Sequence, residues 1–154
     1  MEILEIKSSY PYPSNMLSNF YPHSFIIDDV KCKSMEGFLQ SLKFKDIKIQ
    51  KQVCLCVGID AKKRGKRKFL WKLTGNIYWK GRKIKRKSKE FQALIDRAYN
   101  ELLKNEEFKK ALSDSEGYLL AHSIGKNNQR RTILTEKEFL SRLNKLRNIS
   151  CNSK

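Results

Sequence analysis

Three polar side chains with the spacing of one helix face are the first candidates for chemistry in this sequence. Glu36, Gln40 and Lys43 fall at positions i, i+4 and i+7. On a helix this spacing places a carboxylate, an amide and an ammonium group in one stripe. The three groups could therefore converge on one ligand.

Each member of this stripe also has an ordinary structural explanation. A glutamate in a first helical turn, as expected for Glu36, often only complements the helix dipole. Gln40 and Lys43 could orient a phosphate or ribose, or they could lie on an exposed helix face. The pattern by itself leaves these alternatives open.

Other catalytic chemistries find little support in the sequence. It contains no P-loop, no dinucleotide-binding glycine motif, no zinc-protease motif and no nucleophile elbow. His23 and His122 are the two histidines, which excludes a multi-histidine metal site. The remaining carboxylates and aromatic rings suit glycosidic cleavage, where a carboxylate activates water or stabilises positive charge on the sugar. No metal and no cofactor are expected.

The polar stripe depends on a helix that begins after Ser34. The hydroxyl of Ser34 can cap the first turn, and an apolar face at i, i+3, i+4 and i+7 follows, formed by Met35, Phe38, Leu39 and Leu42. Upstream, residues 24–32 indicate a hairpin with a turn at Asp28 and Asp29. Two extended loops are the alternative for that segment.

The rest of the chain is richer in helices than in strands. We predict a helix over 50–57, a loop or frayed helix over 62–68, a helix beginning at Ser88, a short helix capped by Asn105, and a last helix opened by the capping box Thr135 to Glu138. The secondary structure of residues 70–79 cannot be assigned from the pattern. We expect a mainly α-helical α+β fold in one domain spanning residues 1–148, with a disordered tail over 149–154.

Positive charge is concentrated in the middle of the chain. The whole sequence has a formal net charge of +17, and residues 43–89 contain 18 Lys and Arg against two Asp, a difference of +16. Such a segment favours salt-sensitive association with phosphates, as in DNA or RNA. A solvated surface in a lysine-rich proteome is the equal alternative.

Cysteine spacing and hydropathy indicate where the protein works. The four cysteines match neither a zinc knuckle nor a C-x-x-C redox motif, so we interpret them as reduced thiols. No secretion signal is visible, and the apolar runs are far shorter than the roughly 20 residues that span a bilayer. We therefore expect a soluble, cytoplasmic protein without a membrane partner.

A series of short motifs resembles the NADAR (NAD- and ADP-ribose-associated), or YbiA-like, family. The motifs extend from about Leu17 to Arg147 and their combination is specific. They are Leu17-Ser18-Asn19-Phe20-Tyr21-Pro22, Phe25, Asp28, Ser34-Met35-Glu36-Gly37-Phe38-Leu39-Gln40, Lys43-Phe44, Ala61 with Gly65, Trp71, Tyr78-Trp79-Lys80-Gly81, the helix from Ser88 to Tyr99, Leu120 to Lys126 and Thr132 to Phe139.

This resemblance implies an α-rich α+β fold and N-glycosidase chemistry on nucleotide-like substrates. Such substrates include ADP-ribosylated guanine in nucleic acid and riboflavin-pathway intermediates. Glu36 matches the catalytic glutamate of the family's S-x-E helix, and Ser18, Asn19 and Phe20 match its substrate-binding loop. Trp79 is the best match to its pocket tryptophan, with Trp71 as the competitor.

One element departs from the family pattern. The W-G-D/N-G element of YbiA-type members is replaced by the segment from His122 to Lys126. We take His122 and Lys126 as candidate substrate-binding residues. His122 could contact phosphate or transfer a proton, although a single histidine is more often a hydrogen-bonded structural residue.

Three functions follow as hypotheses. The first is an N-glycosidase that removes ADP-ribose from guanine in DNA or RNA, because a +16 segment suits a polyanion better than a free metabolite. The second is the same reaction on a small nucleotide or a riboflavin-pathway intermediate. The third is a non-catalytic binder of ADP-ribose or nucleic acid.

Overall fold

A computed structural model describes residues 1–152, which form eight helices and three separate two-stranded ladders. The strands are β1 (Ile3–Glu5), β2 (Phe25–Ile27), β3 (Val30–Cys32), β4 (Asn76–Trp79), β5 (Arg82–Lys85) and β6 (Leu119–Ala121). The helices are α1 (Ser14–Leu17), α2 (Met35–Ser41), α3 (Ile47–Cys54), α4 (Gly58–Lys66), α5 (Leu70–Thr74), α6 (Lys89–Leu102), α7 (Glu106–Asp114) and α8 (Glu136–Asn152). The predicted mainly α-helical α+β fold is confirmed.

Helix α2 is buried along its whole length and forms the centre of the domain. Every residue from Met35 to Ser41 is buried, and α2 packs against α3, α4 and β3. The close approach depends on Gly37, because a Cβ atom there would lie 2.4 Å from the carbonyl oxygen of Cys56. A larger residue at position 37 would push α2 away from the α3–α4 junction.

Local signals in the sequence correctly locate several elements. Ser34 caps α2 by accepting from the N–H of Gly37 at 3.0 Å, and Ser88 caps α6 in the same way. The hairpin β2–β3 forms around Asp28 and Asp29, both with positive φ, the backbone that a tight hairpin turn requires. Asn105 caps α7.

The cationic segment 62–68, for which a loop or a frayed helix was expected, lies mostly in α4, which ends at Lys66. The helix is held by Ala61 and Gly65, which are buried against α2, while its basic residues point outward. Helix α3 begins at Ile47, earlier than predicted, because Asp46 caps it by accepting from the N–H of Ile49 at 2.9 Å. Residues 70–79 form α5 and strand β4 of a second hairpin.

The N-terminal strand β1 pairs in parallel with β6, which lies more than a hundred residues later in the chain, and the sequence did not indicate this ladder. The predicted tail is wrong for residues 149–152, because α8 continues through Asn152 with Ser150 buried. Residues 153 and 154 lie outside the described part of the chain. Within residues 1–152, no helix has the length and apolar character needed to cross a bilayer.

Candidate active site

A cavity of about 410 Å³ lies where the loop after α1, helix α2 and the segment before α8 meet. Eight of the nine candidate site residues line it, namely Ser18, Asn19, Phe20, Glu36, Gln40, Lys43, His122 and Lys126. The structure thus brings together eight of the nine predicted residues. The volume of the cavity falls within the usual range of about 300–1,000 Å³ for ligand sites.

Glu36 lies in the wall of this cavity and is 9% exposed. Its Oε1 accepts a 2.8 Å hydrogen bond from Nε2 of Gln40, while Oε2 accepts none from the described residues. Burial raises the pKa of Glu36, against the opposing effects of the Gln40 hydrogen bond and of the charges on Lys43, Lys62 and His122. One carboxylate oxygen is therefore held in place and the other is available to a ligand.

Gln40 is held against helix α4 by a glycine. A Cβ atom on Gly65 would lie 1.7 Å from Oε1 of Gln40, so only glycine leaves room for the amide at this position. Oε1 of Gln40 is buried without a hydrogen-bond partner among the described residues. The close packing of Gly65 against the side chain of Gln40 holds the amide group of Gln40 beside Glu36.

Lys43 extends the polar stripe by one more turn. Its Nζ donates a 3.5 Å hydrogen bond to the carbonyl oxygen of Gly65 and lies 5.6 Å from the ring centroid of Trp71. Burial lowers the pKa of Lys43 to about 8, although the charge of Glu36 acts in the opposite direction. Lys43 therefore loses its charge in a pH range where an exposed lysine would keep it.

The loop after α1 is tied to the first turn of α2 and to helix α6. The N–H of Glu36 donates to the carbonyl oxygen of Asn19 at 3.0 Å, and the buried hydroxyl of Tyr99 donates to Oδ1 of Asn19 at 2.8 Å. Ser18 shapes the loop by accepting from the N–H of Phe20 at 3.2 Å. With Oδ1 occupied, the amide Nδ2 of Asn19 is left to donate to a ligand.

His122 lies at the cavity with one ring nitrogen already used. Nδ1 lies 2.9 Å from the carbonyl oxygen of Ile6, and because a carbonyl only accepts, Nδ1 carries the proton. Nε2 has no hydrogen-bond partner among the described residues, so it can accept from a ligand, or donate when the ring is protonated. Gly125 packs closely here, since a Cβ atom on it would lie 2.8 Å from Cδ2 of His122.

Trp79 does not line the cavity, and the expected pocket role is wrong for this residue. Its Nε1 donates to Oδ2 of Asp28 at 2.8 Å, and its ring packs edge-on against Phe38 at 5.1 Å. Trp79 thereby ties the second hairpin to the turn of the first. Trp71 is buried below Lys43 and is likewise outside the lining, so Phe20 and Phe139 supply the aromatic wall.

Cations surround the cavity and include residues that sequence reasoning did not single out. Besides Lys43, the lining contains Lys62, Lys66, Lys68, Lys72, Lys126 and Arg131, against the two carboxylates of Glu36 and Glu136. The charge run over 62–68 was the available signal for the first three. Arg131 had none, because only the fold brings it to the cavity. The segment 132–136 was part of a family-like motif, but that motif had been given no role in the site.

A buried ion pair supports the segment before α8. Arg86 donates to both oxygens of Glu138, at 3.1 Å and 2.5 Å, and the N–H of Thr135 donates to Glu138 at 2.8 Å. Burial alone would raise the pKa of Glu138, but hydrogen bonds from Arg86 and Gln92 outweigh it and lower the pKa. The predicted capping box is confirmed and holds residues 132–136 against the cavity.

Among residues 1–152, no three or more His, Cys, Asp or Glu side chains lie together in a group that could hold a metal ion. The four cysteines are free thiols, with Cys32 and Cys54 buried. The polar side-chain groups at the cavity are carboxylate, amide, hydroxyl, imidazole, ammonium and guanidinium.

The chain is similar in sequence to a bacteriophage protein and to a family of such proteins. It is 36% identical over 149 residues, 96% of its length, to the 17.1 kDa protein in the Gp30-rIII intergenic region of Enterobacteria phage T4, of which it covers 98%. No solved structure matches the chain. The model of the family described as bacteriophage protein GP30.3 matches residues 11–148, and the chain therefore belongs to that family.

Proposed function

We propose that this protein is an N-glycosidase that cleaves the bond between a ribose and a nitrogen atom, with Glu36 as the catalytic carboxylate. The observation that carries the proposal is the state of that carboxylate. It is buried, hydrogen-bonded through Oε1 to Gln40, and free at Oε2 in a cavity walled by the Asn19 loop. The similarity of the same motifs to the NADAR family supports the assignment.

The reaction requires a negative charge close to the anomeric carbon. As the glycosidic bond breaks, positive charge develops on the sugar, and a carboxylate fixed in a site of low dielectric stabilises it more than water would. Glu36 either provides this stabilisation directly or removes a proton from the attacking water. In both cases it acts in its ionised form.

The neighbouring groups fit the other parts of such a substrate. Nδ2 of Asn19 can donate to a ribose hydroxyl, and Gln40 keeps the carboxylate in position. Nε2 of His122 can contact a phosphate or exchange a proton with the leaving base. Phe20 offers an aromatic wall for a base.

The substrate that fits the charges best is ADP-ribose attached to guanine in nucleic acid. Seven cations around one cavity suit a diphosphate, and the +16 segment over residues 43–89 suits a strand that continues beyond the cavity. Free thiols are consistent with action in the cytoplasm. Neither a metal nor a cofactor enters this mechanism.

A free nucleotide or a riboflavin-pathway intermediate is the second candidate substrate. The volume of about 410 Å³ is enough for a single small ligand without a strand. The two candidates differ in their response to salt, because only a polymer contacts the basic surface outside the cavity.

The experiment that tests the proposal offers all of these compounds to the protein. ADP-ribosylated DNA, NAD and riboflavin-pathway intermediates are incubated separately, and the products are identified by mass spectrometry. We expect release of ADP-ribose from the modified DNA, with a rate that falls as salt increases. Tight binding without product from any of them would instead indicate a non-catalytic binder.

A further inference from the structure

An exposed apolar ridge lies on α5, beside the candidate active site. Phe69, Leu70 and Leu73 are 64%, 64% and 78% exposed, whereas Trp71 between them is buried. Positions 70 and 73 are three residues apart and so share the outer face of the short helix. Large apolar side chains grouped at this exposure mark a surface that contacts a partner.

The surroundings of the ridge restrict the chemistry of that partner. Residues 62–72 contain seven Lys and Arg and no acidic residue, and Lys66, Lys68 and Lys72 also line the cavity. The partner must therefore carry many negative charges and present apolar faces to Phe69 and the leucines. It must also reach the cavity, because the same lysines serve both surfaces.

We propose that the α5 ridge is a stacking platform for single-stranded nucleic acid, whose phosphates contact Lys66, Lys68 and Lys72. Proteins that bind single strands combine such a cationic track with exposed aromatic side chains, on which bases stack. The inference rests on the proposed function in one respect, that the strand leads a modified base into the cavity.

An anionic membrane would complement the positive charges of residues 62–72, but the ridge lies next to the cavity, where a membrane fits less well than a strand. A lipid surface resting on Phe69 and Leu73 would also occupy Lys66, Lys68 and Lys72, which line the cavity, and the polar ligand of the cavity would then compete with lipid headgroups for the same lysines. A flexible strand can instead lie on the ridge and enter the cavity. The geometry therefore favours nucleic acid.

The test measures binding of a fluorescent single-stranded oligonucleotide of about 12 nucleotides by anisotropy at several salt concentrations. We expect the double substitution Phe69→Ser and Leu73→Ser to weaken binding about tenfold without changing the salt slope. Replacing Lys66 and Lys68 by Ala should reduce the slope by about 0.7 for each lysine. In the variant Phe69→Trp, stacking of a base on the new indole ring should quench the tryptophan fluorescence when the oligonucleotide binds.

The matched control is the double substitution Ile26→Ser and Leu119→Ser, which removes two apolar side chains that are each 53% exposed on other elements. It should bind as the wild type does. Binding by the ridge variant within twofold of wild type, or a loss of affinity for phosphatidylserine vesicles alone, would overturn the proposal. Equal melting temperatures would show that all variants are folded.

Failure of this inference can be told apart from failure of the proposed function. The oligonucleotide is unmodified, so its binding does not require glycosidic cleavage. If the wild-type protein cleaves its substrate but the ridge variant binds the oligonucleotide normally, only the proposal for the ridge is contradicted. If the wild-type protein binds the oligonucleotide through the ridge but cleaves no substrate, only the proposed glycosidase function is contradicted.

Discussion

The backbone N–H of Glu36 donates a 3.0 Å hydrogen bond to the carbonyl oxygen of Asn19. Since the side chain of Asn19 is in turn held by the hydroxyl of Tyr99, the proposed catalytic helix, the substrate loop and helix α6 are joined through one residue. The position of the carboxylate relative to the loop is therefore set by the fold before any ligand binds.

Tyr99→Phe should loosen this arrangement while leaving the core filled. The variant leaves Oδ1 of Asn19 without its donor, which costs about 1 kcal/mol of unfolding free energy, measurable by urea denaturation. Asn19 can then rotate, so we expect KM for the cleaved substrate to rise several-fold. An unchanged KM would show that Nδ2 of Asn19 does not contact the substrate.

The pH dependence of cleavage should be bell-shaped, with both limbs assigned to the polar stripe. Glu36 must be ionised, and because burial raises its pKa above the ordinary 4.5, activity should fall on acidification at a pH above that value. Lys43 has a pKa of about 8, so its positive charge and its contribution to phosphate binding should be lost above pH 8. The pH profile of kcat/KM measures both.

Lys43→Arg provides the control for the alkaline limb. Arginine stays charged throughout the accessible pH range, so the decline near pH 8 should disappear while the acidic limb stays. Persistence of the alkaline limb in this variant would assign it to another group.

Glu36→Gln should stabilise the folded protein at neutral pH. A carboxyl whose pKa is raised by folding binds more protons in the folded state, so stability falls as pH rises through the interval between its unfolded and folded pKa values. Glutamine does not ionise and avoids this loss, and it can still accept from Gln40. We expect a gain of about 1 kcal/mol at neutral pH, typical of substitutions at functional sites.

The pH dependence of that gain is the check. It should shrink as the pH falls below the raised pKa and vanish below the ordinary value of 4.5, where the carboxyl is protonated in both states. A gain that is independent of pH would mean that burial of the charge is not its cause.

The buried pair of Arg86 and Glu138 should be essential for stability. Glu138→Ala leaves a buried guanidinium uncompensated, for which we expect a loss of about 3–5 kcal/mol in the free energy of unfolding. The exposed pair of Arg82 and Glu90 is the matched control, and Glu90→Ala should cost less than about 1 kcal/mol. Similar losses in both variants, measured by urea denaturation, would contradict the structural role given to Glu138.

Local signals explain which parts of this fold could be predicted. Ser34, Ser88 and Asn105 cap their helices through contacts within three residues, so the sequence contains the whole interaction. The parallel pairing of β1 with β6 joins segments more than a hundred residues apart in the chain, so no local pattern near either strand predicts it. Helix α4 was predicted only as a loop or frayed helix over 62–68, because its buried contacts, at Ala61 and Gly65, are few among many charges.

The candidate site was predicted well along α2 and less well elsewhere. Glu36, Gln40 and Lys43 share a helix face, so their spacing alone brought them together. The placement of Trp79 depended on its partner Asp28, which lies in a different hairpin. Arg131 reaches the cavity through the packing of the segment before α8, a tertiary arrangement without a local pattern.

The most direct test of the central claim is the single-turnover rate of glycosidic cleavage by Glu36→Gln, compared with wild type on ADP-ribosylated DNA. The substitution keeps the shape and the Gln40 hydrogen bond but removes the charge. We predict a rate about 10²–10⁴-fold lower than that of wild type, with substrate binding retained. A rate within twofold of wild type would contradict the assignment of Glu36 as the catalytic carboxylate.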